Sequence, residues 1–219
     1  MILVTGAAGV LGQAVIATLV ARGEAVAAVD LAPMIPAAGQ RVSVGGIDLA
    51  DATAGAALAA QLDGPLNGLV NVAGGFLWET VSEGGWASWE RMYRINVQTA
   101  FEATRLALPA LRTSRGAIVN VSAAATARAG AGMGAYAAAK SAVSRLTEAL
   151  AAEELTNGVR VNAVMPSVID TPANRRDMPD ADPSRWVSPS EIAEVVAFLL
   201  SPAASGVTGA LVPVVGRVI

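Results

Sequence analysis

The chain contains no cysteine and no histidine among its 219 residues. Disulfides, thiolate or imidazole metal sites, and every Ser-His or Cys-His nucleophile are therefore excluded. Proton transfer near neutral pH falls to Tyr, Lys, Asp or Glu with a shifted pKa. Charge is also scarce, at 15% of residues with a net value of −3. That balance gives no electrostatic footprint for nucleic acid or for an anionic membrane surface. The lack of cysteine agrees with a cytoplasmic setting.

Hydrophobic residues are abundant instead, at 53%, so a packed globular chain is expected rather than a disordered one. The opening stretch "MILVTGAAGVLGQAVIATLVA" is uncharged. It has no basic flank and is broken early by glycines, unlike a signal peptide. A buried strand, a glycine turn and a helix explain it.

Short apolar runs then alternate with helical patterns to the end of the chain. Strands are expected at 1–5, 25–30, 42–49, 68–74, 117–122, 159–166 and 210–215. Helices are expected over "VLGQAVIATLVARG" (10–23), over an alanine-rich stretch to about Leu62, and at 89–111, 134–156 and 189–200. Apolar strands separated by helices predict an α/β fold, a doubly wound parallel sheet with helices on both faces. No linker or repeat divides the pattern, so one Rossmann-type domain spanning 1–219 is expected.

The run "TGAAGVLG" (5–12) sits between the first strand and first helix, with Gly6, Gly9 and Gly12 allowing a tight turn and close approach of a pyrophosphate. Val10 and Leu11 belong to the same expected cofactor site. Asp30 ends the second strand, where a carboxylate binds both adenosine ribose hydroxyls and repels a 2′-phosphate. Leu31, Ala32 and Pro33 follow it without a cation, so NADH is expected over NADPH. Asp48, with Leu49 beside it, either reaches the adenine amino group or serves as a surface cap.

Tyr136 and Lys140 lie one helical turn apart and share a face. A nearby ammonium stabilises phenolate, so Lys140 is expected to lower the Tyr136 pKa and to hold ribose hydroxyls. The pair follows the fifth strand, on the side where such sheets bind ligands.

Taken together, "TGAAGVLG", "NVAG" (71–74), Asn96, "YAAAK" (136–140) and "RVNAVMPSVIDTP" (160–172) resemble the short-chain dehydrogenase/reductase family in its expected order. The resemblance implies hydride transfer between a nicotinamide cofactor (NAD) and a small-molecule substrate. Tyr136 would then be the proton donor, Lys140 the ribose anchor and Asn96 part of a water-linked relay. Ala73, Gly74, Pro166 and Thr171 would lie along the cofactor. At the family's serine position this chain has Ala123. The neighbouring Ser122 could substitute only where the strand ends or bulges, because successive side chains alternate faces.

A branch without that serine, the quinonoid dihydropteridine reductases, is also similar. The likeness lies in "GAAGVLG", Asp30, "AGG" (73–75), "GMGAYAAAK" (132–140) and "IDTPANRRDMPDADPSRW" (169–186). It implies a planar, conjugated substrate. Residues 167–188 would form a lid, from which Asn174, Arg175 and Arg176 could meet a polar group of the substrate or a cofactor phosphate, or else lie in a solvated loop. Phe76, Met133, Trp78, Trp86 and Trp89 are either substrate contacts or packing residues. A general carbonyl reductase using Ser122 or water, and a non-catalytic dinucleotide-binding sensor, stay open as alternatives. Family resemblance further implies a homodimer or homotetramer assembled through the helices near 89–112 and 134–156.

Overall fold

The computed structural model describes the chain except for residues 35–38, 52, 63 and 219. Seven parallel strands form one sheet: β1 (Ile2–Thr5), β2 (Val26–Val29), β3 (Gln40–Val44), β4 (Gly68–Asn71), β5 (Ala117–Val121), β6 (Arg160–Pro166) and β7 (Leu211–Val214). Their spatial order is β3-β2-β1-β4-β5-β6-β7. The order reverses between β1 and β4, so the loops leaving those strands diverge and open a crevice at their carboxyl ends.

Among the described residues seven α-helices accompany the strands: α1 (Val10–Ala21), α2 (Ala54–Ala59), α3 (Trp86–Tyr93), α4 (Thr99–Ser114), α5 (Gly134–Glu153), α6 (Pro172–Asp177) and α7 (Pro189–Leu200). Strand side chains alternate faces, and the core divides accordingly. Ile2 and Val4 join Val15, Leu19, Ile192 and Val196 of α1 and α7 on one face. Leu3, Leu69 and Ile118 join Ala103, Ala107, Leu111 and Leu150 of α4 and α5 on the other.

A polar ladder crosses this second layer. Asn71 and Asn120 are register partners in β4 and β5. Asn71 Nδ2 donates to Asn120 Oδ1 at 2.9 Å, and Asn120 Nδ2 donates to Thr147 Oγ1 of α5 at 2.9 Å. All three residues are buried.

Several element bounds differ from the sequence expectation. β3 ends at Val44 rather than residue 49 because Gly45 is packed against the Ala32–Met34 backbone and Gly46 adopts φ +74°, turning the chain. The alanine-rich helix stops at Ala59, well before Leu62. The helix expected from Trp89 begins at Trp86, and it is interrupted by a π-helical turn at Arg94–Gln98. α7 matches its expected bounds, fixed by Pro189 at its first turn and a capping box between Ser188 and Glu191.

Candidate active site

The turn after β1 is built so tightly that only glycine fits. Gly6 has φ +64°, and a Cβ there would lie 2.7 Å from Ala73 N; a Cβ on Gly12 would lie 2.1 Å from Gly6 O. Gly9 caps α1 without any side-chain hydrogen bond, leaving the first-turn N–H groups aimed into the crevice. Leu11 is buried and Val10 is exposed beside it. Thr5 joins this turn to the other side of the crevice, its hydroxyl accepting from Val72 N and Ala73 N at 3.1 Å each.

Asp30 stands across from the glycine turn. Its Oδ2 accepts from Ala8 N at 2.9 Å and its Oδ1 from Ala32 N at 2.8 Å. The carboxylate is thus locked at the end of β2, facing the turn. Asp48 accepts from Ala50 N at 3.0 Å and from Arg94 Nη2 at 2.6 Å, with Leu49 buried beside it. The tight glycine turn, which packs against the Val72–Ala73 backbone and leaves the first-turn N–H groups of α1 without side-chain partners, and the fixed acid beside it fit an adenine dinucleotide.

Asn96, Gly74 and Lys140 meet deeper in the crevice. The π-turn carries Asn96 inward, where Oδ1 accepts from Gly75 N at 3.2 Å and Nδ2 donates to Gly75 O and Met92 O, each at 3.0 Å. Such turns insert a residue into a helix and re-aim side chains. A Cβ on Gly74 would fall 2.5 Å from Asn96 Oδ1 and 3.4 Å from Lys140 Nζ. Lys140 is buried, and its ammonium donates to Val121 O at 2.8 Å. Burial lowers its pKa to about 8.

Tyr136 is half-buried, with Phe76 edge-on to its ring at 4.9 Å. Among the described residues no hydrogen bond holds its hydroxyl. Burial raises its pKa to about 12, which corrects the expectation that Lys140 lowers it. The reason is geometric: the ammonium is turned to the Val121 carbonyl, and desolvation is left unopposed.

Ser122 is buried with its hydroxyl 2.7 Å from Ser144 Oγ and donating to Lys140 O at 3.0 Å. It therefore faces into α5. Ala123 has extended backbone, φ −156° and ψ 150°, so its Cβ points to the opposite side. Trp78 lies over Gly132, where a Cβ would be 2.2 Å from the indole, and Glu79 N donates to Gly132 O at 2.9 Å. Phe76 and Trp78 thus flank the loop that carries Met133 to the start of α5. Trp86 and Trp89 instead stack on each other at 6.3 Å and line a cavity of about 140 Å³ with Glu79, Gly134 and Ala135.

Pro166, the last residue of β6, is buried, and Thr171 caps α6, a short helix inside the expected lid. Asn174 Nδ2 donates to Ile169 O at 2.8 Å, and Arg175 pairs with Asp170 at 2.6 Å. Both side chains are thus tied within this segment, whereas Arg176 is exposed. Thr5, Arg94 and Gln98 were missed from sequence; Thr5 alone carried a signal, as a buried hydroxyl ending an apolar strand.

The family model for short chain dehydrogenase matches residues 1–182. The chain belongs to the short-chain dehydrogenase/reductase family. This short-chain dehydrogenase/reductase is 34% identical to 2-(S)-hydroxypropyl-CoM dehydrogenase 3 of Xanthobacter autotrophicus, across 99% of this chain and 95% of that one. It is 38% identical to the inactive 2-(S)-hydroxypropyl-CoM dehydrogenase 2 of the same organism, across 76% and 82%. A 3-oxoacyl-[acyl-carrier protein] reductase from Brucella melitensis with bound NAD superposes with TM-score 0.84 at 31% identity, covering 99% of this chain and 90% of that one. The short-chain dehydrogenase/reductase is thus an oxidoreductase using a nicotinamide cofactor on a small-molecule substrate. Among its described residues, no helix is long and apolar enough to cross a membrane, and no cluster of acidic residues could hold a metal.

Proposed function

We propose that the chain is an NADH-dependent reductase, one cofactor-binding and catalytic domain over residues 1–219 with its lid at 167–188, acting in the cytoplasm. Its substrate is a quinonoid dihydropterin or a similar planar conjugated compound. A nicotinamide cofactor supplies the hydride when bound. Tyr136 delivers the proton from its hydroxyl, Lys140 anchors the ribose, and Asn96 orders the relay behind them. Asp30 selects NADH, since its carboxylate would repel the 2′-phosphate of NADPH.

The observation that carries this reading is the commitment of the Ser122 hydroxyl to Ser144 and the Lys140 carbonyl, with alanine next to it at 123. Ser122 is thus not free to polarise a ketone and position 123 carries no hydroxyl, whereas Tyr136 keeps its hydroxyl free of such a bond beside the exposed Phe76. A conjugated substrate accepts hydride without that polarisation. Met133 and Phe76 supply the apolar walls, with Thr171 and Pro166 along the cofactor.

The same geometry disfavours a carbonyl reductase relying on Ser122. A second reading, dinucleotide binding without turnover, is favoured by Ala123 and by similarity to a relative named as inactive. NADH oxidation with freshly generated quinonoid dihydropterin separates the readings. Turnover that is lost in Tyr136→Phe while NADH affinity persists is expected; NADH binding without any turnover would establish the second.

Assembly as a homodimer or homotetramer is supported by a groove of about 400 Å³ lined by Tyr93, Val97, Phe101, Ala142 and Leu146. Tyr93 and Phe101 are exposed there, on the helices the family resemblance implicates.

A further inference from the structure

The π-turn does more than present Asn96. Three of its side chains reach out to backbone or carboxylate on two separate segments of the crevice. Asn96 grips Gly75 through both its N–H and its carbonyl. Arg94 Nη2 donates to Asp48 Oδ2 at 2.6 Å, and Gln98 Nε2 donates to Ala50 O at 2.8 Å. One turn therefore clamps the catalytic end and the segment after β3 together.

We propose that Arg94 and Gln98 are positioning residues for the adenine half of the cofactor, acting through Asp48 and Ala50. The inference rests on the nicotinamide-dinucleotide reading above. A carboxylate offers about four lone-pair sites. Asp48 spends one on Ala50 N and one on Arg94, so each oxygen keeps a site for the adenine amino group. Held at both oxygens, the carboxylate cannot rotate, and its remaining acceptor directions are fixed before the ligand arrives. Gln98 holds the following carbonyl, which keeps the 48–50 segment at a set distance from Asn96.

Neither side chain needs to touch the ligand for this to operate. The Arg94–Asp48 pair is partly exposed, at 49% and 36% of side-chain surface, so its contribution is modest and sensitive to salt. Gln98 is uncharged, and its hydrogen bond is not weakened by ionic strength.

Calorimetric titration with ADP-ribose, which lacks nicotinamide, tests the idea without turnover, alongside NADH binding to the unaltered chain. Arg94→Met is expected to weaken ADP-ribose by about fivefold at low salt, with the deficit shrinking as salt is raised. Arg94→Lys should restore most of the affinity, and Gln98→Leu should weaken binding by a similar factor at every salt concentration. In turnover, KM for NADH should rise with kcat at saturation nearly unchanged. ADP-ribose affinity equal to wild type in both Arg94→Met and Gln98→Leu would overturn the proposal. Wild type that binds NADH but shows a salt-independent Arg94→Met defect, not rescued by lysine, would also overturn it. An unaltered chain that binds neither NADH nor ADP-ribose would instead overturn the cofactor reading itself.

Discussion

Replacing Lys140 by methionine is expected to stabilise the fold while destroying the enzyme. Lys140 is 5% exposed, and burial depresses its pKa from 10.5 to about 8. Below pH 8 the ammonium is charged in both folded and unfolded chains, and the folded state bears the full cost, about 3 kcal/mol. Between pH 8 and 10.5 the unfolded chain binds more protons than the folded one, so stability rises with pH across that window. Methionine fills the channel of the lysine stem with a flexible apolar chain. It also removes the donor to Val121 O, a loss of about 1 kcal/mol. The net gain at pH 7 is therefore about 2 kcal/mol, shrinking nearly to zero by pH 9.5 as the wild-type lysine discharges. Urea unfolding of both proteins at the two pH values measures this, and the difference between them cancels every other titrating group. A variant less stable than wild type at pH 7, or a difference equal at both pH values, would refute the reasoning. Tyr136 slopes the other way at higher pH, because its folded pKa of about 12 exceeds the ordinary 10.0 and stability falls above pH 10; the comparison stops below that range.

Two further changes probe the crevice. Gly74→Ala drives a methyl to 2.5 Å from Asn96 Oδ1, so Asn96 must release Gly75; kcat should fall by about tenfold to a hundredfold, as displacements near 1 Å do, and the melting temperature should drop by several degrees as buried hydrogen bonds are lost. Ala123→Ser places a hydroxyl opposite the side occupied by Ser122 and should raise turnover of simple ketones by roughly tenfold or more; no gain across a ketone panel would show that the serine is not the limiting absence.

Most of the sheet was legible because each strand is a short apolar run bounded by turn chemistry. "MILVT" and "AIVNVS" need no tertiary information to be read as buried strands. α7 was legible to the residue because Ser188, Pro189 and Glu191 are adjacent and act locally. The π-turn was not, because an inserted residue leaves the apolar spacing of Met92, Val97 and Ala100 close enough to ordinary helix. Its cause lies in the tertiary grip of Asn96 on Gly75. The crevice follows the same division. Glycine spacing and the Tyr136–Lys140 face are sequence features, whereas the direction of the Lys140 ammonium depends on where the Val121 carbonyl lies. That direction reversed the expected Tyr136 shift. The fate of Ser122 likewise required Ser144, a residue with no recognisable pattern around it.

The amide ladder through Asn71, Asn120 and Thr147 acts on the route to the fold as well as on the fold. Parallel strands drawn from distant parts of a chain have little to tell one pairing from its neighbour, since Val70 and Val119 would pack as readily one step out of line. A slip of β5 against β4 by a single residue would set each buried amide against valine and leave Asn120 Oδ1 without the Asn71 donor in a dry layer, at about 1–3 kcal/mol. The ladder thus works as a proofreading key at the centre of the sheet: incorrect pairings are rejected by their unmet hydrogen bonds, and the loops that follow β4 and β5 start from the same height.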